Sequence, residues 1–414
     1  MNGLRNDDPL VIKFGGTSVG GGAQFVRAAG IVVEAASDRP VAVVVSAMSG
    51  TTDALLGYAD LTGDGPARTS RGATREGSLA ELHRTLADRH LAAARQAVSQ
   101  ELLPEVKRRV LELLRALIEA IAAPLDGNGP IARRARIAIF GERLSAAILA
   151  GAISSQGAPA SVVAGDPIAT DSGFGEAEVD VAGTRERCSR YVTPLLDDGS
   201  VAVVPGFVGR SPEGLPTTLG RGGSDLSATV VGRGIEASEV WIMSDVDGVL
   251  DADPRLVPDA SLLPRLSYRE AGDFAELGAK VLHPRTMEPA SEVGMEVLVR
   301  NTFNPGCPGT RVTGSVEEGG VRCVALRPSL SIELPCATGH RREASAVICI
   351  GSPDERDLRR GGDRLRRAGI NPIHAGIAAA GLVFVVFAER AEEALRVLHE
   401  GLVSRDEVAA EEVA

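Results

Sequence analysis

Twice within its first sixty residues the sequence runs a short, mostly apolar segment into a turn of small residues and then into an apolar-periodic stretch. LVIKF (10–14) meets Gly15-Gly16 ahead of the periodic segment 25–36, and VAVVVSA (41–47) gives way to SGTTDALL. Segments of this kind leave no face for solvent, so each reads as a strand covered on both sides. Two strand–turn–helix units in succession predict an α/β fold, a mostly parallel sheet with helices on both faces. Ligands of such sheets sit beyond the carboxyl ends of the strands, where residues 15–18 and 46–53 fall.

Further strands are expected at 135–140 (ARIAIF, running into Gly141-Glu142), 201–208, 239–243 (ending on Ser244-Asp245) and 295–300. Residues 59–76 are polar and read as a loop. Residues 77–122 read as helical, with Val106, Val110, Leu113, Leu117 and Ile121 on one face. From about Thr313 the texture changes: VEEGG reads as a linker, followed by a strand at 344–350, a helix at 355–368, strands at 370–376 and 381–388, and a helix at 391–403. A chain of 414 residues exceeds what one core usually covers, so two domains are expected, 1–312 and 313–414.

A net charge of −11 argues against a nucleic-acid partner, and means that an anionic ligand must be held by locally concentrated cations and backbone N–H groups. The five cysteines are odd in number and lack C-x-x-C spacing, which supports neither a disulfide framework nor a zinc site. The N-terminus has no signal-type apolar stretch, and the longest apolar run, 370–388, is broken by Asn371, Pro372 and His374. No membrane partner and a cytoplasmic location are therefore expected.

Among 44 basic residues only Lys13, Lys107 and Lys280 are lysines. A compact ammonium reaches a phosphate oxygen as a point charge where a planar guanidinium is bulky. Lys107 stands beside Arg108 and Arg109 in a helical run, whereas Lys13 and Lys280 lie in glycine-containing motifs. Neither a G-x-x-x-x-G-K-[ST] loop nor a G-x-G-x-x-G turn after the first strand is present. The chain carries instead KFGGTS (13–18), TLGRGGSD (218–225) and GAKVLHPRT (278–286). Glycine doublets let backbone N–H groups approach phosphate oxygens closely, and two doublets on separate loops could cradle a polyphosphate.

VIKFGGTSVG (11–20), VVSAMSGTTDALL (44–56), FGERLSA (140–146), TLGRGGSD, DVDGVLDADPR (245–255), ELGAKVLHPRT (276–286) and NTFNPGCPGT (301–310) resemble, in order, the motif set of the aspartate kinases in the amino-acid kinase superfamily. The resemblance implies an αβα sandwich with a mostly parallel sheet and, behind it, a small ACT-like (ferredoxin-like) α+β domain. It implies transfer of the γ-phosphoryl group of ATP to the side-chain carboxylate of L-aspartate, giving 4-phospho-L-aspartate. By the same resemblance Glu142 and Arg221 would hold the amino acid by its ammonium and carboxylate, with hydroxyl contacts from Ser46, Thr52 and Ser224. Lys13, Gly15, Gly16, Gly222, Gly223 and Lys280 would surround the phosphates, and Asp225 would orient Lys13. Ser244, Asp245, Asp247, Asp253 and Arg255 would line the nucleotide side. No protein metal site is implied, because Mg²⁺ would be held mainly by the ATP phosphates. A homodimer or higher homo-oligomer is expected. The alternatives are a kinase for another acidic amino acid, an aspartate analogue or acetylglutamate, and a catalytically silent amino-acid sensor.

Two departures carry expectations of their own. Ser244 and Leu250 stand where the family usually has Thr and Tyr, removing a ring contact from the nucleoside side. The hundred or so residues after 312 are too few for the two βαββαβ modules usual in the family. A shortened regulatory region, weak or absent feedback by lysine or threonine, and service to a specialised pathway are expected from this.

Overall fold

The computed structural model describes residues 8–61, 75–124, 127–276, 283–314, 319–332, 342–379 and 381–403. They divide into two compact units, 1–247 with 285–309, and 248–284 with 310–414. The division does not coincide with a boundary at 312, because segment 248–284 clusters with the C-terminal residues.

Within the first unit six strands lie parallel in the order Glu296–Asn301, Glu239–Ser244, Leu10–Phe14, Val41–Val45, Val201–Pro205, Ala160–Val162. Every residue of Leu10–Phe14, Val41–Val45 and Val201–Pro205 is buried, as continuous apolar runs predict. Side chains alternate across a strand. Leu10, Ile12 and Phe14 join Val41, Val43 and Val45 in one large apolar cluster, which also takes in the buried faces of helices Gly22–Ala36, Leu103–Ala122 and Phe140–Ser155. Lys13 therefore points to the opposite face, where helix Gly223–Gly234 packs on the first strand.

The segment 135–140 corrects the sequence reading: it is helix, not strand. Gly129–Ala138 and Phe140–Ser155 follow one another with Ile139 between them, and all but the last two residues from Leu144 to Ser155 are buried. A short apolar run looks alike in a buried strand and a buried helix, and here a buried stretch from Leu144 to Ile153 continues the helical segment well beyond the length of a strand. Together these helices are long and apolar enough to cross a bilayer, but 89% of the most apolar window is buried in the protein. Of the loop expected over 59–76, residues 59–61 close helix Thr51–Leu61, helix Arg75–Ala97 begins at 75, and 62–74 lie outside the described residues. A minor sheet of Val179–Asp180, Ala169–Thr170, Val208–Arg210 and Pro216–Thr218 leads the chain into the TLGRGGSD loop.

The second unit contains a small antiparallel sheet in the order Gly320–Ile332, Arg342–Ser352, Gly381–Phe387, His374–Ala378, with helices Glu355–Arg367 and Ala391–Leu402. Helix Glu355–Arg367 starts at a capping box in which Asp354 accepts from Arg356 N and Asp357 N. Leu395, Leu398 and Leu402 bury one face of the last helix in a cluster with Leu365 and Phe384. Strand Gly320–Ile332 comes first in the chain yet takes the edge beside Arg342–Ser352, the position that a fourth strand holds in a complete βαββαβ sheet. The same unit pairs Arg265–Ser267 in parallel with Thr310–Thr313.

Candidate active site

The carboxyl ends of the parallel strands are laced together. Ser46 N donates to Phe14 O (3.0 Å), Gly206 N to Val45 O (2.9 Å), Gly15 N to Met243 O (3.4 Å) and Thr302 N to Ser244 O (2.9 Å). Four loops of the first unit thus leave one sheet edge in fixed register, carrying Gly15-Gly16, Ser46, Gly206 and Ser244-Asp245. Contact between the first two is close: a Cβ on Gly16 would stand 2.9 Å from Ala47 O.

Lys13 is 8% exposed, and its Nζ lies 2.5 Å from Asp225 Oδ1. Asp225 is in the first turn of helix Gly223–Gly234, whose cap Gly222 takes a left-handed φ of 70°. That conformation is cheap only for glycine. Gly220, with φ 76°, makes the preceding bend. Ser224 stands in the same turn, beside Gly206 at the end of the Val201–Pro205 strand, where an added Cβ would meet Ser224 Oγ at 3.0 Å. Arg221 is exposed at the loop tip.

Glu142 is 3% exposed in the first turn of Phe140–Ser155. Its Oε1 accepts from Ala47 N at 3.4 Å, and its Oε2 is buried without a protein partner. Burial pushes its carboxyl up from the ordinary range to about 8, against the opposing effect of the backbone N–H bonds it accepts. Helix and loop approach this closely because residue 141 is glycine: a Cβ there would stand 2.7 Å from Ala47 Cβ. Thr52 is half-buried in the first turn of Thr51–Leu61.

Ser244 Oγ lies 3.3 Å from Asp245 Oδ1, and Asp245 is exposed. Asp247 accepts from Asn301 Nδ2 (2.7 Å) and Asn304 Nδ2 (3.1 Å). Asp253 and Arg255 fall in the second compact unit, where Arg255 Nη2 meets Asp253 Oδ2 at 2.5 Å. Lys280 lies outside the described residues.

Supporting residues went unread in the sequence. Ser18 Oγ and Thr302 Oγ1, 2.7 Å apart and buried, tie the first glycine loop to the NTFNPG segment. Arg285 Nη1 donates to Leu219 O (3.3 Å) and steadies the start of the GRGG loop. A hydrogen bond between segments 284 residues apart leaves no periodicity to read, although both segments belong to quoted motifs.

The site thus combines a buried ammonium paired to a carboxylate, adjacent glycine turns, and a buried carboxyl without a full set of partners. This is a geometry for holding a polyphosphate and a small cationic group side by side.

A model of the amino acid kinase family matches residues 8–301. The chain is 33% identical over 306 residues to aspartokinase 1, chloroplastic, of Arabidopsis thaliana, covering 73% of this chain and 52% of that protein. It is 32% identical over 313 residues to bifunctional aspartokinase/homoserine dehydrogenase 1, chloroplastic, of Zea mays, covering 74% of this chain and 32% of that protein. The chain thus spans about a third to a half of the length of these curated relatives. Among solved structures, E. coli aspartokinase III in complex with aspartate and ADP superposes with a TM-score of 0.74 at 25% identity, covering 95% of this chain and 99% of that one. With a matching family model over most of its length and the strand-edge site that its motifs build, the chain belongs to the amino acid kinase family.

Proposed function

We propose that the protein is an aspartate kinase, which transfers the γ-phosphoryl group of ATP to the side-chain carboxylate of L-aspartate. The observation that carries this reading is the buried Lys13–Asp225 pair at the end of the first strand, next to the Gly15-Gly16 turn. The similarity to aspartokinases supports it, including the structure of one of them with aspartate and ADP.

On this reading a carboxylate oxygen of aspartate attacks the γ-phosphorus, the bond to the bridging oxygen breaks, and ADP leaves. Aspartate is ionised at neutral pH and is itself the nucleophile, so no general base is required. Lys13, and Lys280 by resemblance, offset the charge that spreads over the transferring group. Asp225 fixes the Lys13 ammonium. Glu142 takes the substrate ammonium and gives up its proton as that cation arrives, while Arg221 takes the α-carboxylate. Among the described residues no cluster of three or more His, Cys, Asp or Glu could hold a metal ion. Mg²⁺ would be held mainly by the nucleotide phosphates and would supply charge neutralisation there.

The reading extends to weak or absent feedback by lysine or threonine and to a shortened regulatory region. Its support is the single set of four strands and two helices in the described part of 319–403. Assembly as a homodimer or larger is part of the same reading, since strand His374–Ala378 offers an edge with Ile377 55% exposed. So is a cytosolic location, which suits the free thiols of Cys188, Cys307, Cys323 and Cys349.

The test is ADP release with Mg·ATP over L-aspartate, L-glutamate, N-acetylglutamate and aspartate analogues, with hydroxylamine present to trap the acyl phosphate and parallel wells containing lysine or threonine. Aspartate-dependent hydroxamate unaffected by either amino acid is expected. Turnover only with another carboxylate would reassign the substrate, and none with any would favour the silent sensor. Inhibition by lysine or threonine would remove the regulatory part of the reading.

A further inference from the structure

Asp166 stands where several elements of the first compact unit meet, just beyond strand Ala160–Val162, at the carboxyl edge of the parallel sheet. It is 5% exposed. Arg143 Nη2, on helix Phe140–Ser155, donates to both of its carboxylate oxygens, at 3.2 and 3.3 Å. Arg210 Nη2, at the end of strand Val208–Arg210, donates to Oδ2, while Arg210 Nη1 donates to Gly214 O at 2.6 Å. The main chain is pinned as well: Asp166 O accepts from Arg187 Nε (2.7 Å), and Ile168 O accepts from Arg210 N (2.9 Å).

The two arginines come from opposite sides of the candidate amino-acid pocket. Arg143 follows Glu142, whose Oε2 is buried without a protein partner and so calls for a cation or a donor from outside the chain. Strand Val208–Arg210 pairs with Pro216–Thr218, from which the loop runs on to Ser224 and Asp225. The residue that leads into Val208–Arg210 is held under strain: Phe207 has φ 67°, costly for a bulky side chain and kept only where its surroundings hold it. Phe207 N donates to Ser227 Oγ (2.8 Å), Phe207 O accepts from Leu219 N (3.1 Å), and a Cβ on Gly223 would stand 2.7 Å from Phe207 Cδ2. The two sides meet over neighbouring strand ends. Glu142 accepts from Ala47 N, and a Cβ on Gly206 would lie 3.0 Å from both Val44 Cγ1 and Ser224 Oγ.

A small zwitterion held at both its ammonium and its α-carboxylate fits only where the two grips stand a fixed distance apart. One buried carboxylate shared by guanidiniums of two elements sets such a distance, because charge-assisted bonds of this kind are directional. We propose that Asp166 is a positioning residue that sets the Glu142 side of the amino-acid pocket against the Ser224 side. The proposal rests on the kinase reading for the identity of the amino acid. Asp166 acts through Arg143 and Arg210 and not by contact with the substrate.

The test measures steady-state constants for both substrates, alongside calorimetry of L-aspartate binding in the presence of Mg·ADP. Asp166→Asn raises KM and Kd for aspartate about fivefold or more, while KM for ATP and kcat at saturating aspartate stay within about twofold, as for a grip used equally in ground and transition states. Arg143→Gln and Arg210→Gln each leave Asp166 one guanidinium; they raise KM for aspartate in the same way and supply the reading should the Asp166 variant fail to fold. Added to Asp166→Asn, neither raises it further, because the bridge is already cut. A residue that only stabilised the fold would lower the melting temperature of these variants and leave KM for aspartate unchanged. That result, an equal rise in KM for ATP, or full additivity overturns the proposal. A wild-type chain that binds aspartate without phosphorylating it refutes the kinase reading and leaves the Kd comparison decisive for Asp166. One that binds no aspartate overturns both.

Discussion

At the scale of single residues, the Lys13–Asp225 contact joins two roles that substitution can separate. Lys13→Met leaves Asp225 without its cation at a site where its side chain is only 16% exposed, so it costs both turnover and stability. Adding Asp225→Asn relieves the unpaired charge. The double variant is expected to recover most of the lost melting temperature while turnover stays about a hundredfold or more below wild type; scanning calorimetry and the ADP-release assay check the two halves. Glu142 gives a pH signature. Its folded value, about 8, lies above its unfolded value, so the protonated form stabilises the fold at low pH. That contribution is whole below the unfolded value of about 4.5 and is lost as pH rises through about 8. The melting temperature of Glu142→Gln should therefore gain on wild type by at least about 3 °C between pH 5 and pH 8, and level off above. Parallel melting curves across that range would contradict the assigned burial.

At the scale of elements, the close approach of the first two loops depends on a missing side chain. Gly16→Ala places a methyl against Ala47 O and should lower stability by about 1–3 kcal/mol while raising KM for ATP, seen in denaturant titration and steady-state kinetics. How much of this was legible in the sequence follows from how local each signal is. The runs at 10–14, 41–45 and 201–205 were legible as buried parallel strands because each is short, rich in β-branched residues and bounded by turn residues. The loops that leave them were legible too, since glycine doublets and single lysines stand out from their surroundings. ARIAIF was misread because its six residues hold no information about the buried helical stretch, Leu144 to Ile153, that follows them. Contacts such as Ser18 with Thr302, or Asp251 with His399, were illegible for a different reason. Each needs the tertiary fold to bring two unremarkable residues together.

At the scale of the whole molecule, the first compact unit is interrupted: residues 248–284 leave it before 285–309 return to it. The returning segment supplies strand Glu296–Asn301, which pairs residue for residue with Glu239–Ser244. During synthesis, then, the Glu239–Ser244 strand emerges from the ribosome well before its outer neighbour, leaving backbone N–H and C=O groups and the flanks of Val240, Ile242 and Met243 without cover. A chain stopped at Asp247 should accumulate in the insoluble fraction, and one continued through Gly309 should recover solubility, as fractionation after expression would show. The chain's need for chaperones during translation is therefore expected to turn on the roughly sixty residues between Asp247 and Gly309.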